Sequence, residues 1–408
     1  MDQIINGILD NPEFKNSSEQ EKKVENDIFD EVNTNEDVNA SIAALLRRSL
    51  PRVQMIGVGG AGNNSAARLM RSNVEDVEVL AINTDAQDLL NTLANKKVLV
   101  GYSVTRGFGA GNDPNIGESA ARESAEELKE LINGDLVFIT AGLGGGTGTG
   151  AAHVTAELAK EKGALTVSIC TLPFNMEGPV RRANAMHGLK KLYHASDTVI
   201  VVPNQRLLSL SPDLSLMQGF KIADEVLVRA VSAISELITK PQMVNLDFAD
   251  VRKVLGQGGV AMIGLGESKG QSNKVEEAVN DALNNPLLED LDLSTARKAL
   301  ICVSGGEDLS LRDAEQIVAK IQSRIDSDAE IIWGASIDND LKDTLRVIAL
   351  ISDIDSNFEK EGVFQLKNDA EDLAQGLTKK NQNNGKNKSE SYRSKFASKK
   401  KGFLSIFK

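Results

Sequence analysis

Apolar and polar positions alternate in blocks through the middle of the chain. Short apolar runs at 53–58, 77–83, 97–100, 136–141, 165–171 and 198–202 have the length and composition of buried strands. Segments between them, such as 116–132 and 151–162, carry helical patterns. A strand, helix, strand rhythm of this kind predicts a doubly wound parallel sheet, with ligands outside the carboxyl ends of its strands. A long helical pattern then runs over 216–239 and is stopped by Pro241. Beyond it, Gly256, Gly258 and Gly259 punctuate a changed rhythm, with strand-like runs at 261–264, 299–303 and 330–333 and helical segments at 275–284 and 313–323. The expected fold is α/β: a parallel-sheet domain over 51–215, a connecting helix over 216–242, and a second, smaller α/β domain over 243–356.

The flanks differ in character. Residues 1–50 are rich in Glu, Asp and Asn, which predicts a disordered acidic leader, and 357–398 is a polar linker unable to support a core. The last stretch, 399–408, places Phe403, Leu404, Ile406 and Phe407 behind a lysine cluster. Four large apolar side chains after a linker read as a docking peptide for a partner, one candidate being a membrane-associated adaptor; the bland alternative is a frayed terminus.

The formal net charge of −12 over 408 residues argues against a general nucleic-acid surface. Residues 1–10 lack a signal peptide's basic and apolar regions, and no apolar stretch is long enough to span a membrane, so a cytoplasmic protein is expected. Cys170 and Cys302 lie far apart in apolar runs, as buried free thiols would. The three histidines, His153, His187 and His194, have no zinc spacing and read as surface or packing residues.

The candidate chemistry is concentrated in glycine-rich loops at strand ends. Gly142 to Gly150, with Thr147 and Thr149 among six glycines of bare backbone, lies between the 136–141 strand and an Ala-rich helix. Uncovered N–H groups at a helix start bind a phosphate, and without a following Lys the anion is held by main-chain dipoles. A first loop, Gly57 to Gly62 with Asn63 and Asn64 behind it, satisfies GxGxxG and has Asp85 downstream, which alone would suggest an NAD-dependent oxidoreductase. Two cradles on neighbouring strands fit one nucleoside polyphosphate better. A third loop containing Gly109, Ala110 and Gly111 could report on the terminal phosphate.

Side chains supply the rest. Glu177 and Arg181 are four residues apart after a strand, suited to ribose hydroxyls and phosphate or else to a surface ion pair. Phe220 and Asp224 share one face of the long helix, an aromatic to stack on a base and a carboxylate to accept from a guanine edge, although Phe220 as core packing fits the same spacing. Asn245, Asp247 and Asp250 follow that helix and could orient a water for attack on phosphorus, or simply cap a helix. Since that helix runs away from the strand ends, this group would reach a nucleotide only on another subunit.

Together the run Gly144 to Gly150, the first loop with Asn63 and Asn64, Pro173-Phe174-Asn175 with Glu177 and Arg181, and Asn245-Leu246-Asp247-Phe248-Ala249-Asp250 resemble the tubulin-like cell-division GTPases of the FtsZ family, most of all its archaeal branch, over roughly 50–356. The resemblance implies a tubulin/FtsZ-like fold, GTP and GDP as ligands, Mg²⁺ carried on the phosphates through water, head-to-tail homopolymers at a mid-cell ring, and hydrolysis completed by the adjacent subunit. It places Gly60, Ala61, Gly62, Asn63, Asn64, Gly146, Thr147, Gly148, Glu177, Arg181 and Asp224 at nucleotide contacts and Asn245, Asp247 and Asp250 at the catalytic loop. Departures are His153 where many relatives have Pro, Asp224 where some have Asn, a longer acidic leader, and a final peptide without the usual bacterial pattern. A non-hydrolysing tubulin-like scaffold is the other reading in this class.

Overall fold

The computed structural model describes residues 50–354 apart from 73, 75, 211–215, 240–243, 245–246, 257–258, 271–272, 285–291, 339–340 and 342. The expected leader, the 357–398 linker, the 399–408 peptide and Asn245 lie outside the described residues.

Among the described residues from Arg52 onward the chain is built on one ten-stranded sheet. Strands β1 (Val53–Val58), β2 (Val77–Asn83), β3 (Lys96–Leu99), β4 (Leu136–Gly142), β5 (Leu165–Leu172), β6 (Thr198–Pro203), β7 (Gly259–Lys269), β8 (Lys298–Gly305), β9 (Glu330–Ile337) and β10 (Thr344–Ser352) lie in the order β3-β2-β1-β4-β5-β6-β7-β10-β8-β9. The first six pair in parallel. β6 and β7 continue this over only three residue pairs, Thr198 with Gly259 to Ile200 with Ala261. Beyond that short seam β10 runs antiparallel to both β7 and β8, and β8 pairs with β9 in parallel. The α/β, doubly wound architecture expected of 51–215 is borne out.

Burial explains the arrangement. All six residues of β1 are buried, as a strand covered on both faces requires. Alternate residues feed two apolar clusters: Ile56 and Val58 face one side of the sheet, Val53 and Met55 the other. Helices α1 (Gly59–Arg71), α2 (Ala86–Asn91), α3 (Pro114–Glu123), α4 (Thr147–Glu161), α5 (Pro179–Ala195), α6 (Leu216–Thr239), α7 (Phe248–Leu255), α8 (Lys274–Leu283) and α9 (Leu311–Gln322) surround it. Long helix α6 packs its Val226, Leu227, Ala230, Val231 and Ile234 into the same cluster as Ala66 and Leu69 of α1.

Two readings of the pattern change. The helical segment 116–132 is two helices, α3 and a second over Ala125–Leu131, because Ser124 leaves helical geometry at φ −97° and ψ 18°. Strand β10 was not anticipated, although its run Leu345 to Ile351 is apolar enough to have been read; it completes the mixed half of the sheet.

Among the described residues no helix is long and apolar enough to cross a membrane. Both cysteines are buried free thiols, and desolvation pushes Cys170 up to about 12.

Candidate nucleotide site and a separated acidic loop

The carboxyl ends of β1, β4 and β5 open into a cleft of about 860 Å³, walled by Val58, Gly142 and Thr171 at the strand ends. Two helices point their amino ends at it. Val58 before α1 and Gly146 before α4 supply no side-chain cap, so the first N–H groups of both helices are left for other acceptors. Neighbouring helices are treated differently: the Asp85 carboxylate accepts from Gln87 N–H at 2.9 Å and Asp88 N–H at 3.1 Å, and Asp113 accepts from Asn115 N–H at 2.9 Å. Uncapped, dipole-positive ends on one wall suit a polyphosphate.

Glycines at the wall serve two purposes. A Cβ built at Gly60 meets no protein atom closer than 3.6 Å, and one at Gly145 none closer than 3.9 Å, so the space beside them is left to a ligand. At Gly62, by contrast, a Cβ would fall 2.2 Å from the Thr140 carbonyl oxygen, so this glycine is demanded by helix-to-strand packing.

Ten of the expected residues line the cleft: Gly60, Ala61, Asn64, Gly146, Thr147, Gly148, Glu177, Arg181, Phe220 and Asp224. The Thr147 hydroxyl stands 2.6 Å from that of Thr84. Gly62 and Asn63 face inward behind that wall; Asn63 is only 1 % exposed, near Asp88 but with neither amide atom in a properly directed hydrogen bond to protein. Gly109, Ala110 and Gly111 form a supporting loop: Ala110 is buried against Gly146, and Gly109 N–H donates to the Thr84 carbonyl at 3.1 Å. Glu177 and Arg181 form an ion pair at 2.8 Å, and both line the cleft. Asp85, spent on capping α2, is not on the cleft wall, which removes the acid a dinucleotide fingerprint needs.

At the far end of the cleft the Phe220 ring is 41 % exposed and rests edge-on against buried Phe174, centroids 5.3 Å apart at 75°. An aromatic braced from beneath and open above is prepared to stack on a base. Asp224 is half-buried; desolvation raises its carboxyl above the usual range, opposed by a 2.8 Å hydrogen bond from the Ser65 hydroxyl and by the Arg68 guanidinium. Ser65, Arg68 and Asp88 line the cleft without having been anticipated. Arg68 lies four residues past Asn64 on α1, so helical spacing could have found it.

The acidic loop is elsewhere. Asp247 is the N-cap of α7, and its N–H donates to the Asp250 carboxylate at 3.3 Å. Helix α7 sits beneath the amino ends of the strands: Thr198 at the start of β6 donates to the Leu255 carbonyl, and Arg252 to the carbonyl of Gly163, just ahead of β5. The eight residues of β5 put about 26 Å between this end of the sheet and the cleft. Among the described residues no group of three or more His, Cys, Asp or Glu could hold a metal ion.

Comparisons with known proteins agree with this geometry. The model of the Tubulin/FtsZ family GTPase domain matches residues 52–212, and that of the FtsZ family C-terminal domain matches 259–355. The chain is 51 % identical over 322 residues to cell division protein FtsZ 1 of Archaeoglobus fulgidus, covering 79 % of this chain and 87 % of that one. With the protein of the same name from Methanocaldococcus jannaschii it shares 49 % over 347 residues, 85 % and 94 % of the two chains. The solved M. jannaschii FtsZ dimer, empty, superposes with a TM-score of 0.73 at 51 % identity, over 77 % of this chain and 91 % of that one.

Proposed function

From a chain that belongs to the FtsZ family of tubulin-like cell-division GTPases, we propose a protein that binds GTP in the cleft of one subunit and hydrolyses it with acids delivered by the next. The observation that carries this reading is the separation: uncapped helix ends and open glycines lie at one end of the sheet, Asp247 and Asp250 at the other. A subunit so built cannot bring its own acids to its own phosphates, whereas head-to-tail stacking brings them together.

In this assignment Gly60, Ala61 and Asn64 with Gly146, Thr147 and Gly148 hold the polyphosphate, Glu177 and Arg181 the ribose and phosphate side, and Phe220 and Asp224 the base. Gly62, Asn63, Gly109, Ala110 and Gly111 support those loops from behind. Asn245 would join Asp247 and Asp250 in orienting the attacking water. Mg²⁺ would be held through phosphate oxygens and water; the cleft carboxylates Asp88, Glu177 and Asp224 do not gather into a metal-binding group among the described residues. Support for stacking comes from apolar side chains left bare on this end of the molecule: Met217 at the cleft is 69 % exposed, and Phe108 of the third loop 87 %.

We read 51–215, 216–242 and 243–356 as nucleotide domain, connector and second domain; family matches over 52–212 and 259–355, on either side of α6, support that reading. By the same reading the polymer forms the mid-cell division ring in the cytoplasm, and residues 399–408 tether it to a membrane-associated adaptor.

Sedimentation with GTP, GDP and NAD, with phosphate release followed in parallel, tests the whole reading. Turnover per subunit should rise with protein concentration as polymers form. Full-rate hydrolysis by dilute, unassembled protein would overturn shared catalysis; polymer without phosphate release would favour the scaffold.

A further inference from the structure

Among the described residues, Asp224 is gripped from across the chain by one hydroxyl, that of Ser65. Ser65 Oγ lies 2.8 Å from Asp224 Oδ1 and 3.3 Å from the carbonyl oxygen of Ala61. A serine within a helix ordinarily back-bonds to the carbonyl four residues earlier. Here that contact is the longer of two, and the one hydroxyl proton goes to the closer, charged acceptor. Ser65 is fully buried, so water does not compete for the proton, and its own α1 is anchored through Ala66 and Leu69 in the apolar cluster that also holds α6. Donor and acceptor therefore stand on two helices packed against each other. Arg68, one turn further along α1, binds Glu225 at 2.9 Å and adds positive charge beside the same carboxylate.

We propose that Ser65 is a positioning residue for base selection: by holding Oδ1 it fixes the plane of the Asp224 carboxylate, so that both oxygens meet the base edge together. The inference rests on the reading of Asp224 as the guanine acceptor. A guanine presents two donors to a carboxylate, N1–H and the exocyclic amine, and needs both oxygens in one plane. Hypoxanthine presents N1–H alone and tolerates a carboxylate that rotates. Loss of the Ser65 hydroxyl therefore weakens GTP more than inosine triphosphate, a difference that general loosening of the cleft would not produce.

The test is competition binding of GTP and inosine triphosphate to the full chain below its assembly concentration, with thermal melting to confirm that each variant is folded. The unaltered chain should prefer GTP by about tenfold or more, the worth of one hydrogen bond to a charged group. Ser65→Ala should narrow that preference to about two- to threefold, chiefly through weaker GTP binding, and Ser65→Thr, which retains the hydroxyl, should restore it. A folded Ser65→Ala chain with the original preference overturns the inference. Asp224→Ala separates the two levels. If it abolishes the preference while Ser65→Ala does not, only the role of Ser65 fails; if it too keeps the preference, the guanine reading of Asp224 fails and takes the inference with it.

Discussion

Asp247 and Asp250 are bonded to each other, the backbone N–H of the first donating to the carboxylate of the second at 3.3 Å across the first turn of α7. Asp250 thus has a structural duty apart from any part in hydrolysis, and the two can be separated. Asp250→Asn keeps an amide oxygen to accept that N–H, so melting should be unchanged, while the lost negative charge lowers GTP turnover about 100-fold or more. Asp250→Ala should lose turnover equally and also about 1 kcal/mol of stability. Phosphate release on preformed polymer, read beside a thermal melt, checks both; undiminished turnover in Asp250→Asn would remove the carboxylate from the mechanism.

Glycines of the two loops should divide by the space around them. Gly145→Ala adds a methyl where the nearest protein atom is 3.9 Å away, so the protein should fold normally and bind GTP about tenfold or more weakly. Gly62→Ala drives a methyl to 2.2 Å from the Thr140 carbonyl oxygen and should cost about 1–3 kcal/mol of stability or more by overpacking. Melting curves with and without nucleotide distinguish the two outcomes.

That contrast shows where the sequence was legible. Local signals carried the parallel half of the sheet and the loops: Leu136 to Ala141 followed by glycines can only be a strand end turning into a helix. Glu177 and Arg181 came out together because Glu177 closes the short turn before α5 and Arg181 lies in that helix's first turn, so the chain keeps them close across Gly178. What could not be read was made by distant segments. Ser65 meets Asp224 across 159 positions and leaves no spacing to find; Asp88 sits three residues past the cap Asp85, but its place on the cleft wall depends on where α2 packs. The distinction between Gly62 and Gly60 is likewise tertiary, set by how closely α1 approaches β4.

Asp224→Asn should redirect base choice. The amide keeps one acceptor for N1–H but replaces the other with a donor, which opposes the exocyclic amine of guanine and matches the C2 carbonyl of xanthine. The preference for GTP over xanthosine triphosphate should fall about tenfold or more, because the amide oxygen still accepts from N1–H while the amide donor opposes the exocyclic amine. Competition binding with the two nucleotides reads this directly. Equal loss of both would place Asp224 away from the base.

Glu118 sets the acid limit of the nucleotide domain. Its carboxylate on α3 lies 2.6 Å from Lys191 of α5, 2.9 Å from Arg122, and 3.4 Å from buried His153 of α4, tying together three helices that begin or end beside the phosphate loops. Burial raises its carboxyl, but the hydrogen bonds from Lys191 and Arg122 outweigh that and hold it at about 2 against an ordinary 4.5. A carboxylate depressed on folding contributes stability that is complete above the unfolded value and is lost as pH falls from about 4.5 towards 2. Partial exposure screens the pairs, so the contribution is about 1–2 kcal/mol. Glu118→Gln should melt lower at pH 7 and lose less on acidification to pH 3 than the unaltered chain, so that the two curves converge. Parallel curves over that range would mean that the Lys191 and Arg122 pairs contribute nothing to folding.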